Sequence, residues 1–237
     1  MSDNNLLMIF LSVSVAFIHT LIGPDHYIPF IALSKGRKWS PLKTAWVTVF
    51  CGSGHVLSSI LLGSTGLFLG IGIHHINKIN NYRGNLAGWL FLSFGVVYFI
   101  HGIQSVMKKK RHTHVHYHED GTAHSHDHNH FNDHSHFHEN EKKKTMTVWV
   151  LFLIFVFGPC EPLVPLIMVP SSTGSFITVL LMVLSFFATT IVTMLAIVLG
   201  SLYGLKRFEF CFFEKYGTAV TGVLIFACGF AINFLGL

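Results

Sequence analysis

The sequence predicts an all-α integral membrane protein: six transmembrane helices in a 3+3 inverted repeat, with helices 1 and 4 broken. Three observations predict it. First, 51% of the 237 residues are apolar, only 11% are charged, and mean hydropathy is +0.55. Much of the charge lies in 108–144, and what remains is too apolar for a soluble core to hide. Second, Lys and Arg gather in alternate connectors. Third, a Gly-Pro motif flanked by polar residues occurs once in each half.

Six apolar runs reach the ~20 residues that a membrane helix needs. They cover 5–33, 44–73, 84–106, 147–169, 175–203 and 216–236. The first is interrupted near Gly23-Pro24 and the fourth near Gly158-Pro159. Residues 1–106 form the first three-helix repeat and 147–237 the second. The segment 107–146 between them is a disordered, His-rich loop. The opening "MSDNN" has no positive n-region and no small-residue cleavage site follows the first run, so that run is expected to remain as a span.

Orientation follows from the cations. The connectors 34–43, 107–146 and 204–215 fall on one side and hold 14 of the 16 Lys and Arg residues. The other side holds only Lys78 and Arg83. The positive-inside rule puts the 14 in the cytoplasm, so both termini face outward and the loop is cytoplasmic. The pI near 9.1 thus reflects topology, and no nucleic-acid partner is expected. The four cysteines lie in or beside spans without a CxxC, which implies neither a disulfide framework nor a zinc knuckle.

The repeated motif carries the chemistry. Residues 23–29 read "GPDHYIP" and 158–165 read "GPCEPLVP". Each begins with Gly-Pro, continues with two potential metal ligands, and has another Pro a few residues on. Proline removes an amide donor and clashes with the preceding turn, so each helix breaks there. Broken backbone is tolerated at membrane depth only against protein or a wet cavity. Two such breaks in halves of opposite topology are the pattern of a transporter with a site at the midplane.

Asp25 and Glu161 are the only acidic residues at membrane depth outside the connectors. A carboxylate there costs roughly 2.5 kcal/mol or more unless it faces a cavity, pairs or protonates. His26 and Cys160 are their neighbours, His19 lies nearly two turns before Asp25, and His55 sits in "CGSGHVLSS" of the second span. Span five has Thr189, Thr190 and Thr193 in the matching stretch. The candidate metal ligands are therefore Asp25, His26, Glu161, Cys160, His19 and His55. This mixed N, S and O set suits a first-row transition ion: nickel, cobalt, zinc or Fe(II).

The loop holds 11 of the 17 histidines: His112, His114, His116, His118, His124, His126, His128, His130, His134, His136 and His138. They alternate with other residues, a composition that chelates transition metals loosely. It fits a cytosolic metal buffer or sensor.

"GPDHY-P" in span one and "FGPCEP" in span four resemble the urease-accessory (UreH-like) membrane proteins. These belong to a six-span superfamily with nickel/cobalt transporters (NicO and RcnA types), TauE/SafE sulfite exporters and CcdA/DsbD thiol-redox proteins. The resemblance covers nearly the whole chain outside the loop. Two departures stand out. Nickel permeases place four residues between a His and Asp-His, whereas "HTLIGPDH" has five between His19 and Asp25. The redox relatives place one Cys beside each Pro, whereas here Asp25 takes the first of those positions.

The residues and the resemblance together predict a secondary transporter of a divalent transition-metal cation in a bacterial cytoplasmic membrane, proton-coupled and not an enzyme. No cofactor is expected beyond the transported ion, and no nucleotide-binding loop is present. Its partners are membrane lipid and the metal ion; a homo-oligomer and a cytosolic metallochaperone are compatible with the reading. The alternatives are a TauE/SafE-like anion exporter and a CcdA-like redox or assembly factor.

Overall fold

A computed structural model describes residues 3–109, 114–117, 123–126, 141–158, 160–171, 176–205 and 211–236. The described residues are helical apart from one short hairpin and the turns that join the helices. Helix α1 (Asp3–Ile22) stops where Pro24 has no amide to continue it; Gly23 N donates to His19 O at 3.0 Å as the last full turn. A 3-10 turn over Pro24–His26 follows, closed by His26 N to Gly23 O at 3.1 Å. Helix α2 (Ile28–Gly36) then begins with Pro29 in its first turn, where the missing amide costs nothing.

Helix α3 (Pro41–Phe68) starts under a Ser40 cap, whose Oγ accepts from Lys43 N at 3.2 Å. It ends in a Schellman turn. Gly70 N donates to Leu67 O at 3.2 Å and Ile71 N to Gly66 O at 2.8 Å, with Gly70 at φ +65°. Helices α4 (Ile73–Lys109), α5 (Glu141–Phe157), α6 (Leu163–Ser171), α7 (Phe176–Leu205) and α8 (Cys211–Phe230) complete the bundle, and a π turn follows at Ala231–Leu235.

Among the described residues, five helices are long and apolar enough to cross a membrane: α1, α3, α4, α7 and α8. This is a multi-pass membrane protein by length and composition. The fourth predicted span, 147–169 broken near Gly158-Pro159, is two helices, the apolar Met146–Phe157 part of α5 and the nine-residue α6, and neither is long enough to count among the five. Gly158 and residues 160–162 stand outside both helices, and a proline such as Pro162 has no amide to continue one. The third span also differs: α4 begins eleven residues ahead of the predicted 84. Its polar start, "IHHINKINNYRG", contains no proline and stays helical.

In the loop, β1 (His114–Tyr117) and β2 (Ala123–His126) pair antiparallel, with His114 opposite His126 and His116 opposite His124. Disorder was predicted for the whole of 107–146, most of which lies outside the described residues. The alternation that spaces its histidines is itself the two-residue period of a strand. His112, His118, His128, His130, His134, His136 and His138 lie outside the described residues.

The helices pack as crossed pairs: α1 on α7, α5 on α3, α3 on α7, and α4 on α8. The α4–α8 contact is backbone to backbone. Gly88, Gly95 and Gly102 recur every seven residues on α4, and Gly222 and Gly229 do so on α8. A Cβ on Gly95 would lie 2.5 Å from Phe226 N, so only glycine permits this approach.

Candidate metal centre

His55 lies 14 residues from Pro41 and 13 from Phe68, so it sits at the middle of α3, roughly 20 Å from either end. Two other histidines meet it there. His19 comes from the last turn of α1 and His26 from the 3-10 turn that replaces helix after Pro24. One ring nitrogen from each of the three lies within 4.8 Å of the others. The rings meet edge to face, His19 on His26 at 4.9 Å between centroids and His26 on His55 at 5.0 Å. His26 and His55 are buried and His19 is half-buried.

Hydrogen bonds fix which nitrogens are free. His26 Nδ1 is 3.2 Å from Asp25 Oδ1, and since a carboxylate only accepts, Nδ1 carries the proton. His55 Nδ1 is 3.2 Å from Phe155 O, a carbonyl, so it too is the donor. In the neutral form of each ring the lone pair is then left on Nε2. The Nε2 atoms of His19, His26 and His55 are all buried and have no hydrogen-bond partner. A buried polar atom without a partner is costly and rare. Three of them in one place could hold a metal ion, with Asp25 and Phe155 O as the outer groups that would orient the ligands. Donors on a tetrahedral ion stand about 3.3 Å apart, within a small side-chain adjustment of the observed spread.

Both breaks shape the centre. A Cβ on Gly23 would lie 2.5 Å from His26 Nδ1 and 2.9 Å from Asp25 Oδ1. A Cβ on Gly158 would lie 3.2 Å from His55 Nδ1. Each glycine leaves room for the imidazole behind it.

The other predicted ligands lie elsewhere. Cys160 is buried in an apolar cluster with Ala16, Val56, Leu163, Ile167 and Phe186. Its backbone N donates to Ser59 Oγ at 3.1 Å, and it does not join the imidazole group. Glu161 is exposed and lines a separate pocket with Asn77, Asn80, Asn81 and Pro165. The structure thus gathers His19, His26 and His55, with Asp25 one bond behind, and leaves Cys160 and Glu161 out.

Sequence reasoning missed Arg83. It is not a connector residue; it lies inside α4 and reaches across to the second break. Its guanidinium donates to Ser58 Oγ at 2.7 Å, Val156 O at 2.9 Å and Gly158 O at 3.5 Å. It satisfies the carbonyls at the end of α5, next to the Phe155 carbonyl that orients His55. The signal was its isolation: it is one of only two cations on its side of the sequence topology.

Comparison with protein-family models, curated proteins and solved structures finds no match to this chain.

Proposed function

We propose that this chain is a secondary transporter of a divalent transition-metal cation of the nickel/cobalt class. The observation that carries the reading is the trio of partnerless Nε2 atoms half-way along α3. Imidazole nitrogen suits Ni, Co, Zn and Fe(II) and discriminates against Mg and Ca. The ligands are neutral, and the one carboxylate nearby, Asp25, acts through His26. Such a site holds an ion firmly enough to strip its water and loosely enough to release it, as conduction requires.

The same lone pairs take either a metal or a proton, so ion release and proton uptake exchange at one place. That is the basis for proton coupling. The 3+3 inverted repeat is part of the proposal. Two features support it: each half runs helix, break, short helix, then two long helices, and α1 packs on α7 as α5 packs on α3. Rocking of one half against the other would open the site to alternate sides. The Lys and Arg distribution supports outward termini and a cytoplasmic His-rich loop in a bacterial inner membrane. The likeness of the two Gly-Pro motifs to the UreH-like and nickel/cobalt proteins agrees with this assignment.

The test is flux into proteoliposomes of Ni, Co, Zn, Mn and Fe(II), with wild type beside Asp25→Ala, together with X-ray absorption of the loaded protein. The expected result is flux of one or a few of these ions, lost in the variant, and a first shell containing three imidazole nitrogens. A folded protein that neither binds nor moves any of them overturns the reading.

A further inference from the structure

The pocket beside the second break is lined by Asn77, Asn80, Asn81, Glu161 and Pro165 and encloses about 270 Å³. We infer that it is a vestibule that takes a divalent cation with its water shell intact, before or after the ion is stripped at the imidazole trio. The inference deepens the transport reading and rests on it.

Its position comes first. Asn77, Asn80 and Asn81 belong to the opening turns of α4, Glu161 follows the break, and Pro165 is on α6. The wall of the pocket connects to the metal centre through two residues. Arg83 donates to Asn80 Oδ1 at 3.4 Å and to Gly158 O at 3.5 Å. Behind Gly158 stands His55, 3.2 Å from where a Cβ would be. The pocket is one guanidinium and one glycine away from the trio.

Its chemistry differs from that of the trio. It offers three amides and one carboxylate, with no imidazole or thiol among the lining residues. Amide and carboxylate oxygens accept hydrogen bonds from coordinated water, the way hard, hydrated divalent ions are commonly held. Asn80 is only 2% exposed, so one wall is fixed, while Glu161 is exposed. The volume agrees. At about 30 Å³ per water the pocket holds about nine, and a six-water shell needs about 180 Å³. An anion would meet the Glu161 carboxylate. The vestibule collects divalent ions without choosing among them, and the trio chooses.

Mn(II) tests this, because its magnetic resonance separates water-only from nitrogen-coordinated ions. Purified full-length protein should show a water-only class. Glu161→Gln should weaken the water-only class by about tenfold, the worth of one charge acting on a dication across a water layer, and leave any nitrogen class in place. Asn81→Asp, which adds a charge at an exposed position of the same wall, should strengthen the water-only class. A water-only class that is missing, or indifferent to both variants, overturns the vestibule. A water-only class that responds to both variants upholds the vestibule, and the trio, whose imidazoles favour nickel and cobalt over manganese, is judged by the absorption spectra of the Ni- and Co-loaded protein. No bound Mn(II) at millimolar metal overturns the vestibule and leaves the trio to those spectra.

Discussion

The two breaks begin alike in sequence and do different work. At the first, "GPDH" gives side chains: His26 supplies an imidazole and Asp25 orients it. At the second, "GPCE" gives backbone: Phe155 O orients His55, and the Val156 and Gly158 carbonyls receive Arg83. The offset of 135 residues between Gly23 and Gly158 carries Asp25 onto Cys160, His26 onto Glu161 and His55 onto Thr190. Thr190 Oγ1, like His55 Nε2, is buried and without a partner. Under the proposed inverted repeat, both halves would keep the backbone break while only one keeps the ligands.

The largest effect should come from the first break. His26→Ala removes a donor and strands Asp25. Metal affinity should fall by more than about 100-fold, beyond the 10–100-fold typical of losing an orienting group. Competition against a chelator measures it. A fall smaller than that of Glu161→Ala would reverse the roles given to the two breaks.

The glycines sharpen the contrast next. Gly23→Ala would bring Cβ to 2.5 Å from His26 Nδ1, which displaces the Asp25–His26 pair, and should cost about 10–100-fold in affinity. Gly158→Ala meets His55 at 3.2 Å and Phe155 O at 3.3 Å, so the ring gives by a few tenths of an ångström. Its cost should stay below about tenfold by the same scale. Equal losses in the two variants would mean that His55 is held as rigidly as His26.

These expectations also mark what the sequence could reveal. The breaks were legible because proline acts locally: a missing amide ends a helix wherever it stands. His19, His26 and His55 were legible as candidates, and so was Asp25. Which of the six candidates converge was not, because adjacent residues diverge once the helix stops. Cys160 turns into an apolar cluster while Glu161, one residue on, faces an open pocket. Arg83 was read as a connector cation because topology rules count charges and do not see the carbonyls that one of them satisfies. The start of α4 was hidden by its polarity, since "IHHINKINNYRG" offers no continuous apolar window.

A smaller effect belongs to Arg83. Arg83→Met leaves the Val156 and Gly158 carbonyls without their donor. The residue is half-buried, so water replaces part of the loss, and stability should drop by about 1 kcal/mol. A lower thermal midpoint in detergent, with metal restoring part of it, is the expected record. No change in midpoint would mean that the end of α5 holds itself.

The smallest effect should be at Cys160, the position where a thiol relay or a fourth ligand would act. Its Sγ is surrounded by Ala16, Val56, Leu163, Ile167 and Phe186, and the contact that matters to the backbone is its N–H to Ser59 Oγ. Cys160→Ala keeps that bond. Metal affinity should stay within about twofold of wild type, as for residues that share no partner. Packing loss should appear only as reduced stability. If affinity instead fell as far as in His26→Ala, the second break would be supplying a ligand after all. The centre would then be a four-donor site drawn from both halves, and the contrast between the two breaks would vanish.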